Sequence, residues 1–321
     1  MKIFVFLVIY FIQDLLNAKE FHPNDFESSN DIPLKFSTFM AERDENKRWE
    51  NATIVYQIVL TDFRKDEIDG LLNAMDIYQK ETCLKFRPAK FSDQYSVIIR
   101  RGSGGCNAIL GQDRKKGTQT VNLGIGCRWY GLFLHELGHT IGLHHEHQHP
   151  DRDIGVSVQW DNVDPSMKVW FNTISRDDVS MFGVPYDMQS VMHYGQWAFA
   201  KTDANGKSLT TIIAKNPEFQ RYLYYVWMKD LSFGDVKRIN LMYKCNDHCP
   251  KNIPCSERDG FITKDCKCET KQNFANRRCY DVFNSSECQR LKADCDKTGT
   301  YEQYYVFTNC RKTCRKCYEA I

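Results

Sequence analysis

The stretch HELGHTIGLHHEHQHPDRD, His135 to Asp153, decides how this chain is read. The chain contains nine histidines, and six of them fall between His135 and His149. His135 and His139 stand four residues apart, so on an α-helix they lie one above the other on one face. Two imidazoles so placed can converge on one ion. Glu136 is the next residue round the helix. It is poorly placed to be a third ligand and well placed to lean over a water held by the ion. Gly142 takes positive φ without steric cost, so the helix can end there and the chain can turn back. That turn returns the pair His144 and His145 towards the first two. Adjacent residues in a turn point differently, so one of the pair faces the ion, and the residues alone do not choose.

The spacing H-E-x-x-H-x-x-G-x-x-H selects His145. With 9 His and 18 Gly in 321 residues and Glu near ~6%, a chance match is on the order of 10⁻⁷ per starting position. A helix that merely carries solvated histidines is therefore a poor explanation. Three imidazoles with an open fourth position suit one Zn²⁺ per chain, at about 2.0–2.1 Å from nitrogen. Zinc makes a water acidic near pH 7, Glu136 can take its proton, and a polarised peptide carbonyl is the expected target. His144, His147 and His149 are expected at the surface or behind the ligands.

Outward from the cluster, the totals narrow the classes. A length of 321 residues suits about two domains. A net charge of +2, with no basic run interleaved with aromatics, argues against nucleic acid. Lys2, the apolar run IFVFLVIYFI and Leu16-Asn17-Ala18 read as a secretory signal peptide over 1–18. No later run is long and apolar enough to span a bilayer. The expected location is extracellular, where 14 cysteines pair as disulfides. Asn51 and Asn284 begin glycosylation sequons. Residues 19–46 are polar and weakly periodic and read as a propeptide, removed near Lys47-Arg48 or a few residues earlier. Alternating apolar residues follow in WENATIVYQIVL, helical spacing in KDEIDGLLNAMDIYQKET and in LFLHELGHTIGL, and a short strand in YSVIIRR. Strands and helices are intermingled, so the class is α+β. LSFGDVKRINLMYKC reads as the last helix of the large domain, 47–245. Ten of the fourteen cysteines lie beyond Cys245, in modules too small to rely on a core alone.

At this point the sequence resembles the astacin family of secreted zinc metalloendopeptidases, within the metzincins. Its longer signature, H-E-x-x-H-x-x-G-x-x-H-E-x-x-R-x-D-R-D, is met except that His149 stands where the family has arginine. A second family motif is SVMHY, Ser190 to Tyr194. The resemblance makes Met192 the residue beneath the three imidazoles, and Tyr194 a zinc ligand at rest that donates its hydroxyl to the oxyanion during turnover. The likeness runs from about Trp49 to Cys245, through GCNAILGQDRKKGTQTVNLGIGC and PYDMQSVMHYG; Val55 replaces the family's usual proline before Tyr56. It implies a two-lobed α+β domain with the cleft between the lobes. It places a substrate-pairing strand near Arg100 to Leu110, and disulfides Cys83–Cys245 and Cys106–Cys127. It also implies a zymogen in which a propeptide aspartate takes the open metal position, with Asp25 and Asp31 as the candidates. The new amine freed by removing residues up to about Asn46 would pair with Glu146.

The tail carries a second resemblance. Cys279, Cys288, Cys295, Cys310, Cys314 and Cys317, ending in CRKTCRKC, are similar to the ShKT module, named after a sea-anemone channel-blocking toxin. That implies Cys279–Cys317, Cys288–Cys310 and Cys295–Cys314 within 279–317. The blocker's adjacent Lys-Tyr pair is missing from DKTGTYEQYYVFTN, so substrate or matrix binding is the expected role. Residues 246–278 resemble a reduced EGF-like connector, with three connectivities open to Cys249, Cys255, Cys266 and Cys268. The leading expectation is a secreted zinc endopeptidase acting on peptides or extracellular proteins. The alternatives are a non-catalytic matrix-binding protein on a protease scaffold, and a channel modulator acting through the tail.

Overall fold

The computed structural model describes residues 41, 44–102, 105–178, 180–223, 229–278, 281, 285–295, 306, 310 and 312–314. Residues 1–40 of the expected signal peptide and leader, Asp25 and Asp31 among them, together with Asn284 and the pair Cys279–Cys317, lie outside the described residues.

Five strands form the main sheet: β1 (Thr53–Ile58), β2 (Lys85–Pro88), β3 (Ser96–Arg100), β4 (Cys106–Ala108) and β5 (Thr118–Leu123), in the order β2-β1-β3-β5-β4. All pairs are parallel except β4 against β5, which is antiparallel and leaves β4 at the edge. Parallel strands need long crossovers, and helix α1 (Lys65–Glu81) supplies one between β1 and β2. Its buried Leu71, Ala74, Met75 and Tyr78 follow helical spacing. The Arg64 amide donates to Glu67 Oε2 at 2.8 Å, which caps the first turn. Helix α2 (Tyr130–Ile141) packs against α1, and Phe133, Leu134, Leu137 and Ile141 enter the same core as Val97, Ile99, Val121 and Leu123.

Beyond α2 the chain has little regular structure. Strands β6 (Val156–Val158) and β7 (Ile212–Ala214) pair antiparallel and help bury a second apolar cluster around Val163, Phe171, Tyr194 and Leu223. Helix α3 (Phe233–Met242), in the stretch read as the last helix, returns to the first core. Ser232 and Asp235 cap it reciprocally: Ser232 Oγ accepts from the Asp235 amide and Asp235 accepts from the Ser232 amide, each at 3.0 Å. Cys83 is bonded to Cys245 across 162 residues, and Cys106 to Cys127.

Packing runs across two of the boundaries expected from the sequence. Ala41 is fully buried in the main core and bridges to Leu143. Trp49 donates its indole N–H to the Thr140 carbonyl at 2.8 Å. The segment read as the end of a removable leader therefore packs as part of the large domain. The connector does the same at the other end. Its hairpin β8 (Gly260–Ile262) and β9 (Cys268–Thr270) and helix α4 (Lys271–Arg277) are stapled by Cys249–Cys266 and Cys255–Cys268. Phe261 and Phe274 are buried in the main core, against Phe233. A small module gains little core of its own, and this one borrows the large domain's. The tail's described residues comprise helix α5 (Ser285–Arg290), a short turn and the pairs Cys288–Cys310 and Cys295–Cys314. Asn51 is exposed, in a turn with φ 51°.

Candidate metal centre

Helix α2 stops where Gly142 adopts φ 115°, a region costly for any residue with a Cβ. Its amide donates to Gly138 and His139, and the Leu143 amide donates to Gly138, so the last carbonyls are satisfied as the chain reverses. The reversal returns His145 to the helix. His135 Nε2 lies 3.2 Å from His139 Nε2, and His139 Nε2 lies 3.1 Å from His145 Nε2. A tetrahedron with bonds of about 2.0–2.1 Å has edges of roughly 3.3–3.4 Å, so these separations match those of ligands sharing one ion.

Protonation makes the case stronger. His135 Nδ1 faces the Val191 carbonyl at 2.7 Å, and His139 Nδ1 faces the Leu143 carbonyl at 2.7 Å. A carbonyl only accepts, so each Nδ1 carries the proton and each Nε2 presents a lone pair. Burial pushes His135 down to about 4 and His139 down to about 3, and pushes His145 well below its ordinary value. Neutral imidazoles with lone pairs turned on one another repel, and a cation among them removes the repulsion. The donor set therefore fits a divalent metal with nitrogen ligands. Among the described residues a second grouping, His248 with Cys249 and Cys266, also has suitable spacing. Its two cysteines are bonded to each other, so their sulfurs are not thiolates.

Glu136 is buried on the next position round α2. Met192 is fully buried beneath the helix: a Cβ added at Gly138 would meet its Sδ at 2.5 Å. The Met192 carbonyl accepts from the Glu146 amide at 2.9 Å, joining the turn under the cluster to the residue after His145. The Tyr194 ring stands 4.5 Å from the His145 ring and is stacked on His147 at 3.7 Å, centroid to centroid.

His144, His147 and His149 are all buried, which corrects the expectation of a surface position for any of them. His144 lies outside the converging set. His147 Nε2 is 2.9 Å from the Trp170 carbonyl. His149, standing where the signature has arginine, accepts the Asp151 amide at 2.9 Å and lies edge-on to Tyr186. Glu146 is fully buried, with Oε2 2.8 Å from Arg238 Nη1, Oε1 3.2 Å from Nη2, and Oε1 accepting the Asp187 amide at 3.0 Å. Burial pushes its carboxyl up and Arg238 opposes that. The carboxylate of Glu146 is thus met by the guanidinium of Arg238.

Several residues that hold the site were missed in the sequence. Asp235 accepts from Ser190 Oγ at 2.6 Å and from the Val191 amide at 2.9 Å. Tyr186 Oη is 2.6 Å from His193 Nε2, while His193 Nδ1 faces the Tyr194 carbonyl at 2.7 Å. Lys229 donates to the carbonyls of Met188 and Ser190. The S-x-x-D pattern of Ser232 and Asp235 signals a helix cap, and nothing in it announces a second duty towards residue 191. The stretch read as substrate-pairing, near Arg100 to Leu110, contains β4, which among the described residues has one side of its ladder open.

The sequence model of the astacin peptidase family matches residues 41–244. Zinc metalloproteinase nas-6 of Caenorhabditis elegans is 29% identical over 280 residues, covering 87% of this chain and 77% of that protein. Zinc metalloproteinase nas-29 of the same organism is 31% identical over 239 residues, covering 74% of this chain. The chain spans less than half of nas-29, 43% of its length. Among solved structures, high choriolytic enzyme 1, a hatching enzyme zinc-protease from Oryzias latipes, superposes with a TM-score of 0.51 at 26% identity, over 66% of this chain and 97% of that one.

Proposed function

This chain belongs to the astacin family of peptidases, and from that membership we propose that it is a secreted zinc metalloendopeptidase made as a zymogen. The observation that carries the reading is the convergence of the Nε2 atoms of His135, His139 and His145, with two of the rings fixed as Nδ1–H by backbone carbonyls. These three residues are the proposed ligands of one zinc. Bound there, zinc supplies Lewis acidity, polarising a peptide carbonyl and making a water acidic near neutral pH.

The protein's own groups do the rest. Glu136 takes the proton from the attacking water and delivers it to the leaving amine. Tyr194 donates its hydroxyl to the carbonyl oxygen as negative charge builds there. Met192 supports the imidazoles from below, and its packing against Gly138 fixes the height of the helix over the turn. The open edge of β4 pairs with an extended peptide through main-chain hydrogen bonds.

The proposed substrates are peptides and proteins outside the cell, matrix proteins among them, with the tail as a binding element. Secretion rests on the leader-like start of the sequence. Among the described residues no helix is long and apolar enough to cross a membrane. Activation is proposed to remove a leader ending before Ala41 rather than near Asn46, because losing Ala41 would take a fully buried residue out of the core.

The test is hydrolysis of a general protein substrate by purified chain lacking the leader. Activity should vanish with chelator, return with zinc, and be absent from Glu136→Ala. Hydrolysis indifferent to both changes would refute the proposal.

A further inference from the structure

The turn beneath the three imidazoles is held by groups that belong to neither the ligand motif nor the turn itself. Lys229 is buried, and its Nζ donates to the Met188 carbonyl at 3.1 Å and the Ser190 carbonyl at 3.0 Å. The Ser190 carbonyl immediately precedes Val191, whose own carbonyl orients His135, and the Met188 carbonyl lies two residues further back. The next residue along from Lys229, Asp230, has three partners. Its Oδ1 accepts the Tyr130 hydroxyl at 3.3 Å, at the first residue of α2, and the Leu231 amide at 2.8 Å. Its Oδ2 is paired with Nη2 of Arg278.

Arg278 comes from the connector, at the residue that caps α4. It is 3% exposed, and its Nη1 also lies 3.2 Å from Glu81 Oε1 at the end of α1. The neighbouring Arg277 is more exposed and pairs with Glu81 and Glu269 instead. Two adjacent arginines therefore dock the connector through Glu81, and one of them continues to the segment that carries Lys229.

We propose that Arg278 is a positioning residue for the metal centre: through Asp230 it fixes Lys229, and through Lys229 the turn whose carbonyl orients His135. The proposal rests on the zinc-site reading above. A buried carboxylate that loses its guanidinium is left with partners too weak to compensate its charge, so the chain around it shifts. Asp230 is bonded to Lys229, so a shift there moves the ammonium and the two carbonyls it holds. The connector is accordingly part of the catalytic body.

The test uses the chain with its connector and tail intact. Zinc dissociation constants are measured at 25 °C by competition with a chromophoric chelator, alongside Tm, for wild type, Arg278→Met, Asp230→Asn and Arg277→Met. Loss of support behind a ligand weakens metal binding about 10–100-fold, and the low end of that range, about tenfold, is expected for Arg278→Met and Asp230→Asn. Arg277→Met is expected to lower Tm and to leave zinc affinity within about twofold of wild type. Arg278→Met binding zinc as tightly as wild type overturns the proposal. So does Arg277→Met weakening zinc equally, because docking in general would then be the cause. If Arg278→Met does not fold, Asp230→Asn, which keeps the shape of the side chain, decides by the same criterion. A wild-type chain that binds no zinc removes the parent reading, whereas tight wild-type binding with unchanged variants removes this inference alone.

Discussion

Val191 touches His135 and Asp235 at once: its carbonyl lies 2.7 Å from His135 Nδ1, and its amide donates to Asp235 Oδ2 at 2.9 Å. One peptide segment thus links the cap of α3 to the orientation of a proposed ligand. Asp235→Ala removes the acceptor of the Ser190 hydroxyl and of the amides of Val191 and Ser232. Buried donors left without a partner cost about 1–3 kcal/mol each. The variant is expected to unfold at lower urea and to hold zinc more weakly. Unchanged zinc affinity in a folded Asp235→Ala would mean that the link has no consequence.

Gly138→Ala sets helix propensity against packing. Alanine gains about 1 kcal/mol over glycine in a helix interior. The added methyl meets Met192 Sδ at 2.5 Å and Tyr78 Oη at 3.2 Å, both in the core. Overpacking costs about 1–3 kcal/mol, so the net sign is destabilising. Thermal unfolding checks it, and a higher Tm than wild type would show that the helix rides free of the turn.

Arg238 and Glu146 are both fully buried, and each is the other's charge partner. Removing one member of a buried pair costs about 3–5 kcal/mol, since the remaining charge is stranded. Arg238→Met should therefore lose most of the fold's stability in a urea titration, while Glu146→Gln, which keeps hydrogen-bonding groups in place, loses less. Equal losses would contradict this ordering.

Acid stability follows from the histidines. Burial holds His135 and His149 at about 4, His139 and His147 at about 3, and His144, His145 and His193 well below the ordinary value of 6.5. In the unfolded chain these groups take up protons near 6.5, and in the fold they do so only at lower pH. The unfolded state thus binds more protons in between, and stability rises with pH through that window. For the metal-free protein it is complete above about pH 6.5 and falls as the pH drops towards 4. Urea midpoints measured from pH 7 to 4 should decline steeply, and a flat profile would show that the imidazoles are not buried in solution.

The legible part of the molecule was the part written in local spacing. His135, Glu136, His139 and Gly142 identify themselves because helical period and one left-handed glycine decide where they point, whereas His145 was chosen over His144 by the register of the motif. α1 and α2 were readable from their apolar spacing for the same reason. The chain between β6 and β7 was not, because it folds through short turns whose partners are distant in sequence. The burial of His147 and His149 depends on Trp170 and Tyr186, which no nearby pattern announces. The connector's docking was hidden likewise: Arg278 and Glu81 are 197 residues apart. The pairing Cys249–Cys266 and Cys255–Cys268 was one of three choices that spacing left open, and the β8–β9 hairpin supplies one partner to each pair, Cys266 between its strands and Cys268 in β9.

X-ray absorption at the zinc edge of the purified chain bears most directly on the coordination claimed here. The expected spectrum has three imidazole nitrogens at about 2.0–2.1 Å, remaining ligands of oxygen, and one imidazole fewer in His145→Ala. Sulfur in the coordination shell, or a wild-type spectrum unchanged by that substitution, would contradict it.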